Sequence, residues 1–196
     1  MQHDRKSDVC IKVVGVGGAG CSAVDYMLRE GVQGVEFIAA DTDASTLEHC
    51  QAQNKLALGE LGTHGEVEAK ARRELIAAQL SGANMVFVMA DMGEAAGIAA
   101  ASVVAKVARA MGVFTVGVVS GAFYAHGVHC GYYDDEAVAE DLVPGTFAFE
   151  RNKRVKIALE VISELQKHAH SLLVIPNHIE SADGTRGFDE HARVCQ

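Results

Sequence analysis

The apolar run from Ile11 to Val16 (IKVVGV) passes without a break into glycines at 15, 17, 18 and 20, and a helical pattern follows at once. A buried strand that turns through glycines into a helix constrains this chain more than any other stretch. Glycine lets the backbone turn sharply and lets a ligand approach it closely. The helix N-terminus behind the turn presents unpaired N–H groups and the positive end of its dipole, which together suit a phosphate. The plainer alternative is a tight strand-to-helix turn that holds nothing.

The rest of the chain repeats the pattern. The spacing predicts a helix from about Ser22 to Glu30, with Val24, Met27 and Leu28 apolar and Gly31 as its C-cap. A second strand, 35–40, ends in Asp41-Thr42-Asp43, and a short third strand covers 55–58. A helix over 66–80 carries Val67, Ala71, Leu75 and Ala78 on one face. A strand at 85–89 leads into a Gly/Ala loop, 90–99, and a helix through Val103, Val104, Val107, Ala108 and Met111. Strands at 114–119 and 171–175 flank a helix at 152–168. This alternation predicts an α/β fold, a Rossmann-like open parallel six-stranded sheet with helices on both faces. Residues 1–8 read as a flexible N-terminus, 9–177 as the domain with an insertion at 120–146, and 178–196 as a disordered tail.

With 196 residues the chain suits one domain. A formal net charge of −9 argues against a nucleic-acid partner, which needs a basic face. The five cysteines, at 10, 21, 50, 130 and 195, include no Cys-x-x-Cys pair, so zinc and redox motifs are unsupported. Scattered thiols, a polar N-terminus and the lack of an 18-residue apolar run point to a cytoplasmic protein without a membrane span.

Two nucleotide readings compete for the glycine loop. Gly15-x-Gly17-x-x-Gly20 with Asp41, 21 positions after Gly20, fits a dinucleotide fold in which the acid holds the ribose of NAD. A longer match is more specific. The stretch IKVVGVGGAGCSAVDYMLREGVQGVEFIAADTDASTL resembles the N-terminal GTP-binding domain of the FtsZ family, the bacterial tubulin relatives. SGANMVFVMADMG, VVAKVARAMGVFTVGVV and FERNKRVKIALEVISELQKHAHSLLVIPN are similar to later segments of that domain, in order, so that the resemblance covers roughly residues 9–177.

The resemblance implies a nucleotide site, with GTP or GDP as its ligand. Gly17, Gly18, Ala19 and Gly20 match the first phosphate loop, and Cys21 stands where the family usually has glycine. Asp41 stands where the family usually has asparagine, whereas Thr42 and Asp43 match. Glu150 and Arg154 match ribose and base-side positions, and Asn177 matches another nucleotide-side residue.

The second phosphate loop departs from the pattern. The family has MGGGTGTGAAP where this chain has MGEAAGIAAAS, residues 92–102. Gly93 and Gly97 are kept. Threonines are lost at Ala96 and Ile98, and glycines at Glu94, Ala95 and Ala99. Each lost hydrogen bond to a charged phosphate costs about 1.5–3 kcal/mol. A carboxylate about 4 Å from a phosphate adds roughly 1–4 kcal/mol of repulsion. The sum, on the order of 4–10 kcal/mol, leaves nucleotide binding weak or lost. Magnesium remains open as a companion ion that Glu94 recruits.

The family continues into a second domain whose acidic loop positions the attacking water in a neighbouring subunit. HIESADGTRGFDEHARVCQ, after Asn177, does not resemble it. The expectation is a truncated, degenerate domain without a catalytic residue of its own, which does not hydrolyse GTP alone. Its expected partner is FtsZ or an FtsZ-like second domain, and its expected role the modulation or capping of filaments. A weak GTP-binding protein with GTPase activity only in trans is one alternative, an NAD-binding protein another, and a product without a selected role a third.

Other features carry less. His126, His129 and Cys130 are ligand types, but read as surface residues without a second cluster. The acidic run after Asp134 reads as a solvated face. Cys21 beside a helix N-terminus suits a lowered thiol pKa, though a small residue in place of glycine is the plainer reading.

Overall fold

A computed structural model describes residues 9–59, 66–91, 95–121 and 162–176. Six strands form one parallel sheet in the order β3-β2-β1-β4-β5-β6. They are β1 (Ile11–Val16), β2 (Val35–Asp41), β3 (Asn54–Ala57), β4 (Met85–Asp91), β5 (Phe114–Gly121) and β6 (Ser171–Pro176). Four helices connect them: α1 (Gly17–Arg29), α2 (Ala44–His49), α3 (Glu66–Leu80) and α4 (Ala95–Ala110). Residues 162–168 are also helical. The Rossmann-like open parallel sheet read from the sequence is the sheet found.

Strand β1 is central, because Val14 pairs with Ile38 of β2 on one side and Val88 of β4 on the other. Successive side chains of a strand point to opposite faces, and both faces are apolar here. On one face Val14, Val16, Ile38, Val86 and Val88 pack with Ile76 and Leu80 of α3, Val104 and Ala108 of α4, and Leu165. On the other, Val13, Phe37 and Ala39 pack with Cys21 and Val24 of α1 and Leu47 of α2. Fully burying a valine or isoleucine contributes about 1.5–3 kcal/mol, and Ile38, Val24 and Val104 are all fully buried.

Helix boundaries differ from expectation at the two loops that matter most. Helix α1 begins at Gly17, not near Ser22, so the glycines form its first turn. Helix α4 begins at Ala95, inside the stretch read as a Gly/Ala loop over 90–99. Alanine at 95, 96, 99, 100 and 101 is a strong helix former, so this stretch coils. Helix α2 was not expected; Asp43 caps it, its carboxylate accepting from the Ser45 N–H at 2.9 Å and the Ser45 hydroxyl at 2.8 Å.

Lys12 ties three elements together from a buried position. Its ammonium donates to the Gln79 carbonyl of α3 at 2.8 Å and pairs with Glu36 of β2 at 3.0 Å. The insertion at 120–146 beyond Gly121, most of the helix expected at 152–168, and both termini lie outside the described residues.

Candidate nucleotide site

The strand order reverses direction at β1. Residues 35–57 build the sheet outward on one side and residues 85–176 on the other, so β1 and β4 flank the switch point. Ligands of open parallel sheets bind in the crevice outside the carboxyl ends of such strands. The glycine turn into α1 lies there.

Three glycines at the first turn, Gly15, Gly17 and Gly20, have separate reasons. Gly17 opens α1 with φ of 76°, a left-handed conformation that side chains resist. A Cβ on Gly15 would lie 2.2 Å from the Gly20 carbonyl oxygen, and one on Gly20 would lie 2.7 Å from the Met89 carbonyl oxygen. These two let α1 lie directly on β1 and β4. The Val16 N-cap position is extended and makes no side-chain cap, and the first turn of α1 holds no acidic residue. The first turn of α1, with half-buried Gly18 and Ala19, therefore stands at the carboxyl end of β1 with no acidic residue of its own.

Helix α4 brings Gly97 to the same corner. A Cβ there would sit 3.1 Å from the Asp91 carbonyl oxygen and 3.5 Å from the Val16 carbonyl oxygen. The starts of α1 and α4 thus meet across the ends of β1 and β4. Gly17, Gly18, Ala19, Gly20, Cys21 and Gly97 are gathered in one place. Gly93, Glu94, Glu150, Arg154 and Asn177 lie outside the described residues.

Asp41 behaves differently from the expectation for a ribose ligand. It is 3% exposed, and its Oδ1 accepts the Asp43 N–H at 3.0 Å and the Thr42 hydroxyl at 3.4 Å. The carboxylate organises its own loop, a turn that asparagine or aspartate supports. That arrangement offers the NAD reading no support.

Cys21 also differs from the low-pKa thiol that its helix position suggests. Burial first, then the neighbouring Cys50 and Asp41, push the Cys21 thiol up to about 12. Desolvation and nearby negative charge outweigh the helix dipole here. The small residue in place of glycine is the reading that fits.

Two features were not found from the sequence. Asp91, the last residue of β4, accepts a hydrogen bond from the Ser120 hydroxyl of β5 at 2.5 Å, which ties the carboxyl ends of those two strands together. A cavity of about 380 Å³ opens between the Gly18–Asp25 face of α1 and the Ser45–Cys50 stretch. The only advance signal was an acidic residue at a strand's carboxyl end in the first case, and Gly18-x-x-Cys21-Ser22-x-x-Asp25 helical spacing in the second.

A six-stranded parallel sheet with a glycine-opened helix at its switch point defines a nucleotide-binding class of α/β domain. The model of the tubulin/FtsZ family GTPase domain matches residues 10–140, and the chain belongs to that family. It is similar to the cell division protein FtsZ of Buchnera aphidicola subsp. Schizaphis graminum, 35% identical over 184 residues, with 89% of this chain and 42% of that protein covered. Among solved structures it is similar to an empty FtsZ dimer of M. jannaschii, with a TM-score of 0.66, 30% identity, and 88% and 46% of the two chains covered. CetZ from Methanosaeta thermophila shares the fold, with a TM-score of 0.58 and 15% identity over 85% and 45% of the chains. The chain thus spans less than half the length of these relatives. No helix among the described residues is long and apolar enough to cross a membrane.

Proposed function

We propose that this chain is a degenerate FtsZ-type nucleotide domain that holds GTP or GDP weakly through its first loop, and that these 196 residues alone do not hydrolyse GTP. The observation that carries the reading is the corner where α1 and α4 begin. Helix α1 sets a glycine-lined first turn without an acidic residue there, and a helix N-terminus of that kind suits a phosphate. The α4 side opposes it. Glu94 puts a carboxylate into the second loop, and Ala96 and Ile98 replace hydroxyls there in sequence. Like charges near a phosphate weaken binding.

Hydrolysis needs a group that orients water, and the resemblance puts that group in a second domain supplied by a neighbouring subunit. A domain with one face of that contact suits an FtsZ partner, and it acts by capping or otherwise modulating the partner's filament. Magnesium accompanies the nucleotide if Glu94 recruits it. The intact first loop favours one second reading, GTPase activity in trans when another subunit supplies the water-orienting group.

The test is phosphate release from GTP by the purified chain, alone and mixed with a full-length FtsZ, together with pelleting of the filaments. The expected result is no turnover alone and a change in filament mass or length at substoichiometric amounts. Turnover alone, or filaments indifferent to an excess of the chain, contradicts the proposal.

A further inference from the structure

Cys21 and Cys50 are 29 positions apart, and the fold brings them together. Cys21 sits in the first turns of α1 and Cys50 is the C-cap residue of α2. The Cys50 sulfur lies 3.9 Å from the Cys21 carbonyl oxygen, and Cys50 is near enough to Cys21 to help push its thiol pKa up. Cys50 has an extended backbone, φ −74° and ψ 139°, outside the helix, so it can adjust without unwinding α2.

Both cysteines line the cavity between the two helices, which gives a small reagent a route to otherwise buried sulfurs. Asp25 lines it too. Its Oδ1 accepts the Cys50 S–H at 3.0 Å and the Gln51 N–H at 2.8 Å. This bond helps keep the Cys50 thiol protonated, and the carboxylate relays that proton only as the sulfur forms its new bond. Cys10, the third cysteine among the described residues, lies before the opposite end of β1, with its sulfur 3.9 Å from a Glu36 carboxylate oxygen. It does not compete for either partner.

We propose that Cys21 and Cys50 form a redox-responsive dithiol, closed to an intramolecular disulfide by a low-molecular-weight disulfide of the glutathione type, which clasps the first turns of α1 to α2.

The step balances as ordinary thiol–disulfide exchange. The Cys50 sulfur attacks one sulfur of the oxidant as its proton passes to Asp25. The oxidant's S–S bond breaks, and the departing thiolate takes up that proton. The Cys21 sulfur then attacks the Cys50 sulfur of the mixed disulfide, and the second thiolate leaves with the Cys21 proton. Two protein thiols are oxidised, and one oxidant disulfide is reduced to two thiols. Burial holds both thiols protonated near neutral pH, so the exchange is slow and ordinary thiol pools keep the pair open. Closure fixes Cys21 in the helix that Gly17 and Gly18 begin, and so changes the freedom of the glycine turn. This inference does not depend on which nucleotide, if any, the chain binds.

The experiment uses the full chain, with Cys10, Cys130 and Cys195 replaced by serine. It is equilibrated across a series of reduced and oxidised glutathione ratios, quenched by alkylation and mapped by mass spectrometry. The expected result is concerted loss of two alkylatable thiols, a peptide pair joined through Cys21 and Cys50, and a higher Tm that a dithiol reductant reverses. Cys21→Ser and Cys50→Ser should each leave a glutathione adduct on the remaining thiol. Should the serine background fail to fold, the same mapping on the unmodified chain decides the matter through the same peptide pair. Thiols that remain alkylatable at every ratio, or glutathione on both sulfurs without a cross-link, would overturn the proposal.

Discussion

A methyl group on Gly15 would lie 2.2 Å from the carbonyl oxygen of Gly20, closer than any unstrained contact allows. The pair sets how near α1 comes to β1, and the crevice geometry depends on that approach. Gly15→Ala should therefore cost at least about 3 kcal/mol, the upper end of overpacking, since backbone atoms cannot step aside. Gly31→Ala is the control: open space surrounds that position and only its φ of 72° resists, so it should cost about 1–2 kcal/mol. Urea denaturation of both variants reads the difference.

Lys12 and Glu36 form an asymmetric pair, with side chains 9% and 53% exposed. Lys12→Met leaves the Gln79 carbonyl without its donor in a part-buried setting, and should cost about 1–3 kcal/mol. Glu36→Gln weakens only a mostly exposed ion pair and should stay within about 1 kcal/mol of the parent. Equal losses in the two variants would show that the ion pair, not the carbonyl bond, is the tie.

Stability should fall at alkaline pH because of Cys21. Its folded pKa of about 12 lies above the ordinary value of 9.0, mainly through burial. The contribution is fully present below about pH 9, where the thiol is protonated in both states. It is lost as pH rises towards 12, because only the unfolded chain releases the proton easily. Denaturant midpoints at neutral pH and inside that window should differ, and Cys21→Ala should shrink the difference. An undiminished drop in the variant would assign the alkaline loss to other groups.

Much of the fold was legible because both faces of the sheet are apolar. Runs such as MVFVM and FTVGVV are apolar on both faces, the mark of a parallel-sheet strand, with alternate residues fully buried. The helix starts were not legible. The glycines at 17, 18 and 20 read as loop, yet Gly17 alone makes the turn and the others are already helical. The alanines after 94 read as part of a glycine loop and instead coil into α4. Helix α2 carries a short-range signal of its own, the Asp43 cap two positions before Ser45.

At the site, local chemistry was legible and long-range partnership was not. The first loop could be located from its glycines. The Ser120–Asp91 bond and the Cys21–Cys50 contact each join residues 29 positions apart. Only the sheet order brings those partners together. The same holds for the pKa of Cys21, which sequence context would lower and burial raises.

The central claim is that an intact first loop is held to weak binding by the Glu94 carboxylate and the missing hydroxyls of the second. Calorimetry with GTP and GDP in magnesium, on the parent chain and on Glu94→Gly, tests it most directly. The account predicts no measurable binding by the parent below millimolar ligand and at least about a fivefold gain in the variant, equivalent to ~1 kcal/mol of relieved repulsion. Micromolar binding by the parent, unchanged in Glu94→Gly, would contradict it.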